Sequence, residues 1–424
     1  MPTIPAYQIL RGGAIRLDAS SLVTQLVVRT QSKIVFVVMD GLGGFPKSPA
    51  GKSELMAANH PHLDALAASG CVGLLDPVFP GVTPGSGPGH LGLFGYDPLE
   101  HIVGRGALSA AGTGFDLGPD DIAARVNICT LDHEGNVVDR RAGRLPTEET
   151  AAICSELERS VQVNGVEVFF RPEKDHRALL VVRGSDLSDA LQDTDPQRIG
   201  VPPLEPQPVP EAEHDPRAKA TAALIAEILR QARSVLAHRS RGNFLLLRGF
   251  ARRPHLQPFS ERYGLRALAL SQYPMYLGLA RLLGMDDLGL QPTIEAQLSS
   301  LADNFAKYDF FYFHIKATDA AGEDGDFERK CKAIEEVDST VIPHIRSLEP
   351  DVIVVTGDHS TPASEKAHSW HPVPVLLAGG SAPVDPVAAF DEISCLGGFL
   401  GRRRAVELFP IVLAAAGRLR KFGA

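Results

Sequence analysis

Three aspartates follow apolar, largely β-branched or aromatic runs that read as buried strands: Asp40 after IVFVVM, Asp319 shortly after YDFFYFH, and Asp358 after DVIVVTG. In an open α/β sheet, ligands bind outside the carboxyl ends of the strands, so acids at those ends converge on one crevice. Clustered carboxylates repel one another and must be protonated or neutralised by cations. His359, next to Asp358, and His368, in the loop that follows, add imidazole nitrogens. Mixed Asp/His ligation of a pair of divalent ions suits Mn²⁺, Zn²⁺ or Co²⁺ better than Ca²⁺. Singly, an Asp after a strand is an ordinary turn residue or cap; the set is what carries chemistry.

The stretch Thr83–Pro98 (TPGSGPGHLGLFGYDP) supplies a fourth element. Ser86 is flanked by glycines just before an expected helix start, with Pro88 in the first turn and Leu91, Phe94 and Tyr96 on an apolar side. A hydroxyl there lies beside free backbone N–H groups and the positive end of a helix dipole, where a phosphate is held and an alkoxide stabilised. Alone, this is a Gly/Pro-rich loop with an N-capping serine. Taken together with the acids and imidazoles, it makes an accidental coincidence improbable.

Such residues need a scaffold. Lys33–Met39 reads as a central strand, 62–69 as a helix, and the Ser86 elbow follows, a βα pattern that implies a mostly parallel sheet. From about His101 the texture changes to short β-like runs (Ala124–Leu131, Val166–Phe170, Ala178–Val182) with a helix near Thr147–Arg159. Asp193–Asp215 is rich in Pro and acid and is expected to be an exposed loop. Ala218–Arg233 is an amphipathic helix and Asn243–Leu247 a strand. After about Phe259 the βα texture returns, with strands at Tyr308–His314, Asp351–Thr356 and Val373–Leu377 and a helix over Cys331–Ser347. The expected architecture is an α/β domain from residues 1–100 and 260–424, its mostly parallel sheet flanked by helices, interrupted by an inserted α+β domain at 101–259.

The formal net charge of −9 argues against nucleic acid or an anionic membrane as partner, so an anionic small substrate needs a local cluster of Arg, Lys or metal. Five scattered cysteines without CxxC spacing read as reduced thiols. The N-terminal stretch has no basic segment before an apolar core, and the longest apolar runs are strand-length. A cytoplasmic protein is expected, with a second copy of itself (a homo-oligomer) among the candidate partners.

The set MDG at Met39–Gly41, Ser86 with Gly89 and His90, and TGDH at 356–359 followed by His368 and Pro372–Pro374 resembles the alkaline-phosphatase superfamily. It is more closely similar to the archaeal-type branch of cofactor-independent (2,3-bisphosphoglycerate-independent) phosphoglycerate mutases. GFDLGPDDIAARVN, DRRAGR, DTDP, YPMY followed by GMD, and the run Lys316–Asp326 extend the likeness over nearly the whole chain after about residue 30. The resemblance implies that Ser86 accepts the phosphoryl group and that Asp40, Asp358 and His359 hold the metal that also contacts Ser86. It further implies that Asp319 and His368 hold a second metal. Where the family commonly has His four residues after that Asp, this chain has Glu323. Oxygen ligation there shifts preference toward Mn²⁺ or Mg²⁺ and away from Zn²⁺, with Mn²⁺ the favoured ion; Asp324 and His371 are further candidates.

The implied activity interconverts 3-phosphoglycerate and 2-phosphoglycerate through phospho-Ser86, without 2,3-bisphosphoglycerate. The inserted domain would close as a lid that excludes water. Substrate carboxylate and phosphate call for guanidinium groups; Arg141 and Arg144 in DRRAGR, Arg177 and Arg248 are the candidates, with His90 and His176 as acid/base or phosphate contacts. Lys316 and Lys366 flank the metal loops. The alternative activity is a metal-dependent phosphomonoesterase or phosphonate hydrolase on the same scaffold; a sulfatase lacks its Cys-x-Pro-x-Arg here. A non-catalytic binding protein is the contrasting reading that Glu323 raises.

Overall fold

The computed structural model describes residues 19–46, 48 and 51–423; residues 1–18, on which the reading of the N-terminus bears, lie outside them. Strand β1 (Ile34–Met39) is wholly buried. Val35, Val37 and Met39 enter one apolar layer and Ile34, Phe36 and Val38 the opposite one. Two buried faces are what a continuous apolar run demands of a central strand.

The chain continues through β2 (Gly70–Asp76), α1 (Ser86–Leu93) and α2 (Arg105–Thr113) into β3 (Ile122–Leu131) and β4 (Val137–Asp139). Then come α3 (Thr147–Ser160), β5 (Glu167–Pro172), β6 (Arg177–Arg183), α4 (Pro216–Leu236) and β7 (Phe244–Ala251). The last third holds β8 (Ala267–Leu270), α5 (Pro274–Leu282), β9 (Asp286–Asp287), β10 (Phe310–Ile315), α6 (Ala317–Asp324) and α7 (Phe327–Glu336). It ends with β11 (Val352–Thr356), β12 (Val373–Gly379) and β13 (Gly401–Arg404). Among the described residues no helix is long and apolar enough to cross a membrane.

Both ends of the chain build an eight-stranded sheet in the order β13-β2-β12-β11-β1-β10-β8-β9. Only β12 runs against its two neighbours; the other pairings are parallel. The middle of the chain builds a second sheet, β4-β3-β6-β5 with β7 also on β3. Helices α3 and α4 cover one of its faces through Ile153, Leu157, Ile225 and Ile228, against Ala124, Val126 and Ile128. Residues of alternate parity point the other way, because side chains alternate along a strand. There Arg125 faces Arg248 across β3 and β7, and Arg177 of β6 pairs with Asn127. Helix α2 links the sheets, lying on β3 and β7 and against α5. Gly278 of α5 meets Gly112 of α2 so closely that a Cβ would strike backbone.

One expectation needs correction, one gains a detail, and one strand was not anticipated. Gly70–Asp76 (GCVGLLD) is a buried strand that its two glycines disguise; Gly70 and Gly73 sit where a Cβ would strike the backbone of β12 and of β13. The helix expected over Cys331–Ser347 is present and carries a π-helical turn, Val337–Val341, just before Pro343 in its last segment, Ile342–Ser347. A widened turn accommodates a proline that cannot donate. The Asp193–Asp215 segment is not simply exposed, since Thr194 and Asp195 are buried. Thr194 Oγ1 accepts the Leu247 N–H at 2.8 Å, and Asp195 accepts two bonds from Arg140 at 2.6 and 2.9 Å.

Candidate active site

Strands β11, β1 and β10 lie side by side with Val38 level with both His314 and Thr356. The residues just beyond these strand ends therefore meet at one edge. Asp40, Asp319, Asp358 and His359 are fully buried there. Gly41 turns the chain in the left-handed region (φ +63°), and a Cβ on it would lie 2.6 Å from Thr361 Oγ1 and 2.7 Å from Asp319 Oδ1. Asp319 sits in the first turn of α6, and Glu323 lies one turn further on the same face.

Two groups of ligand atoms form. Asp40, Asp358 and His359 make one, with His359 Nε2 3.2 Å from Asp40 Oδ1 and 3.3 Å from Asp358 Oδ2. Asp319, His359 and His368 make the other, His368 Nε2 lying 3.7 Å from Asp319 Oδ1. His359 thus borders both groups, whereas the family resemblance implied a place in the first. Glu323 Oε1 lies 3.9 Å from His368 Nε2 at the exposed rim. Asp324 turns away to Arg329 at 2.7 Å, His371 stacks on Phe45, and Lys366 lies against Gly325, so none of these three joins either group.

Ser86 is the first residue of α1, and Gly85 occupies the capping position. The hydroxyl has no capping duty; its Oγ lies 3.3 Å from His359 Nε2. Gly89, one turn on, lets the helix rest on the Asp358 carbonyl, which any Cβ would strike. His90 is completely buried behind the serine. Its Nδ1 donates to Ser86 O at 2.9 Å and lies 3.1 Å from Asp358 Oδ2, so it braces the elbow and does not reach the substrate space.

Lys316 Nζ donates to Asp40 Oδ2 at 3.0 Å and Asp319 Oδ2 at 2.5 Å, and it also bonds the Tyr276 hydroxyl at 3.0 Å. Burial alone would raise the Asp40 carboxyl, but Lys316, His314 and His359 hold it well below the usual carboxylate range. Burial lowers the His359 imidazole, yet Asp358, Asp40 and Asp319 together raise it to about 9. Asp40 Oδ1 and Asp358 Oδ2 remain buried without a hydrogen-bond partner.

A cavity of about 510 Å³ opens between the two sheets above Ser86. Lys316, Glu323 and His368 line it from the large-sheet side, and Arg105, Arg125 and Arg177 from the other. Of the basic residues singled out in the sequence for substrate, Arg177 lines this cavity; Arg141, Arg144, Arg248 and His176 do not. Arg248 is tied to Asp193 and Asp195. Arg141 and Arg144 belong to a turn held by Asp139, whose carboxylate accepts from the N–H groups of Arg141 and Gly143. His176 is buried, and burial, with Arg177 and Arg141 nearby, pushes it down to about 4, which keeps it neutral.

Arg105, Arg125 and His314 were missed. Arg125 had a visible signal, a lone charge between alanine and valine inside an apolar strand. His314 had another, a polar residue at the carboxyl end of β10; its Nε2 lies 3.1 Å from Asp40 Oδ2, and its ring stacks on Tyr276 at 3.7 Å.

The family model described as 2,3-bisphosphoglycerate-independent phosphoglycerate mutase matches residues 67–240. A Thermus thermophilus protein named "Probable 2,3-bisphosphoglycerate-independent phosphoglycerate mutase" is 47% identical over 412 residues, covering 96% of this chain and 100% of its own. A Thermotoga maritima protein of the same name is 45% identical over 409 residues, with 96% and 100% covered. Among solved structures, the PH0037 protein from Pyrococcus horikoshii superposes with TM-score 0.79 at 30% identity, covering 93% of this chain and 100% of that one. A cofactor-independent phosphoglycerate mutase from Thermoplasma acidophilum gives 0.67 at 31%, with 91% and 100% covered. Likeness of this degree, end to end in sequence and in fold, settles descent: the chain belongs to the 2,3-bisphosphoglycerate-independent phosphoglycerate mutase family.

Proposed function

We propose that this chain interconverts 3-phosphoglycerate and 2-phosphoglycerate in the cytoplasm, with Ser86 as the phosphoryl acceptor. The observation that carries the proposal is Ser86 Oγ standing 3.3 Å from His359 Nε2, beside two buried carboxylate oxygens that accept no hydrogen bond. Unpartnered buried carboxylates next to imidazole nitrogens are a donor set suited to divalent cations. Asp40, Asp358 and His359 would hold one, and Asp319, His368 and Glu323 the other; the oxygen-rich second set favours Mn²⁺. Bound there, such ions supply charge that screens phosphoryl oxygens and favours the deprotonated serine.

The protein's own residues supply the rest. The α1 N-terminus presents Ser86 to phosphorus, and in-line attack by Oγ breaks the bond to the substrate oxygen and leaves phosphoserine with free glycerate. Lys316, at the base of the cavity, neutralises the incoming phosphate. Arg105, Arg125 and Arg177 hold the glycerate carboxylate while the molecule turns and presents its other hydroxyl. Reversal of the attack completes the isomerisation. Residues 101–259 act as the lid over residues 1–100 and 260–424; the position of the cavity between the two sheets supports that division.

The test is to incubate manganese-loaded protein with 3-phosphoglycerate and measure 2-phosphoglycerate beside inorganic phosphate. Isomer in large excess over phosphate, a phosphate adduct on Ser86 by mass spectrometry and loss of turnover in Ser86→Ala are expected. Stoichiometric phosphate without isomer would make the chain a phosphomonoesterase instead.

A further inference from the structure

Tyr273 spans the boundary between the two sheets at the cavity wall. At its backbone it is tied to the metal side: its N–H donates to Ser271 Oγ at 3.1 Å, and Ser271 Oγ lies 3.2 Å from His314 Nδ1. His314 Nε2 in turn lies 3.1 Å from Asp40 Oδ2. At its far end the phenol oxygen accepts from Arg177 Nη1 at 2.5 Å, and Arg177 belongs to the second sheet. The ring between these ends is flanked by one ammonium from each sheet's side, Lys174 Nζ at 5.2 Å and Lys316 Nζ at 5.8 Å from its centre.

A guanidinium-to-phenol bond is short and charge-assisted, and the aromatic spacer is stiff, with two rotatable torsions. Where the two sheets could spread and admit water over Ser86, this side chain bridges them. Outside the cavity lining, α5 packs on α2 and Arg281 Nη1 donates to Ala111 O at 2.9 Å; within the lining, Tyr276 bonds Lys316, both on the large-sheet side, and Arg125, on the opposite wall, has a buried Nε without a partner.

We propose that Tyr273 is a positioning residue, a latch that holds the second sheet over phospho-Ser86, and that opening it releases a phosphatase activity of the same site. The proposal rests on the phosphoserine reading above. In the released reaction a water oxygen attacks phosphorus and the bond from phosphorus to Ser86 Oγ breaks. The serine oxygen takes up the proton that water gives up, and orthophosphate leaves. Glycerate and orthophosphate then accumulate in equal amounts, with no other reactant.

The experiment uses the full-length, manganese-loaded enzyme with 3-phosphoglycerate, comparing wild type with Tyr273→Phe, which keeps the ring and removes the hydroxyl. For each, orthophosphate and 2-phosphoglycerate are measured together, with phospho-Ser86 trapped by acid quench. The ratio of phosphate to isomer should rise at least roughly tenfold in Tyr273→Phe, in line with loss of one charge-assisted hydrogen bond, while phospho-Ser86 still forms. A residue that merely supported the fold, or merely helped bind substrate, would lower both products in proportion; that result, or an unchanged ratio, overturns the latch. Absence of phospho-Ser86 and of isomer in wild type would instead overturn the underlying mutase reading.

Discussion

Beneath the loops that follow Asp40 and His359 lies a charged cluster whose titration can be read as stability. Lys330 is wholly buried and donates to Gly43 O at 3.1 Å and Thr361 O at 2.8 Å, joining the two loops; its Nζ lies 3.9 Å from Glu54 Oε2. Glu392, also buried, accepts from the Gly44 N–H at 2.8 Å and from Ser53 Oγ at 2.5 Å. One ammonium faces two carboxyls, so the more distant acid is the one left without a counter-charge. Burial pushes the Glu392 carboxyl up from its ordinary 4.5 to about 7, with Ser53, Gly44 and Lys330 opposing only in part. An acid raised on folding binds its proton more tightly in the native state, so stability falls as pH rises from 4.5 to about 7 and is level beyond that. The rise from 4.5 to about 7, at about 1.36 kcal/mol per pH unit, amounts to about 3 kcal/mol. Glu392→Gln mimics the protonated acid and keeps an acceptor for Gly44. Urea unfolding at several values between pH 4 and 9 should give nearly equal stabilities at pH 4, with the variant ahead by about 3 kcal/mol at pH 8. A difference between the two proteins that does not change with pH would refute this account of the cluster.

Three further outcomes are expected. Asp358→Asn and His359→Ala should each reduce turnover to background and lower bound manganese per chain by elemental analysis; near-normal turnover in either would remove the ligand assignment. Arg125→Met should raise KM for phosphoglycerate roughly tenfold to a hundredfold without loss of thermal stability, because the guanidinium Nε is buried and unpartnered; a large drop in Tm would show a structural role. Gly89→Ala should cost about 1–3 kcal/mol or more by overpacking against the Asp358 carbonyl and should abolish activity, as measured by denaturation and a coupled assay; a fully active variant would mean that α1 can back away from β11 freely.

The parts of the site that were legible in the sequence are those built by local rules. A β-branched run with an acid at its end reports both a buried strand and the edge it serves, which is how Asp40 and Asp358 could be found, and a serine among glycines advertises an exposed hydroxyl. Arginines were harder, because what matters is which face of a sheet they occupy and what they meet there. DRRAGR looked like a grip but forms a turn closed on Asp139, whereas Arg125 is concealed in the middle of β3 and lines the cavity from the sheet face opposite α3 and α4. His90 and His176 look reactive as letters, yet both are buried, one braced against Asp358 and the other held neutral. β2 escaped notice because glycine discourages strands in general, while here its missing Cβ is what lets β12 and β13 come close.

The reversed direction of β12 has a consequence for how the centre comes apart. Because that strand returns toward β11, the single connection over 357–372 carries Asp358, His359 and His368 before the chain re-enters the sheet. Ser360 fastens this connection to Leu42, Gly43 and Ser369 by isolated bridges. A local opening or a protease cut there would withdraw donors from both ligand groups in one event. Whatever loosens this one connection therefore loosens both ligand groups together.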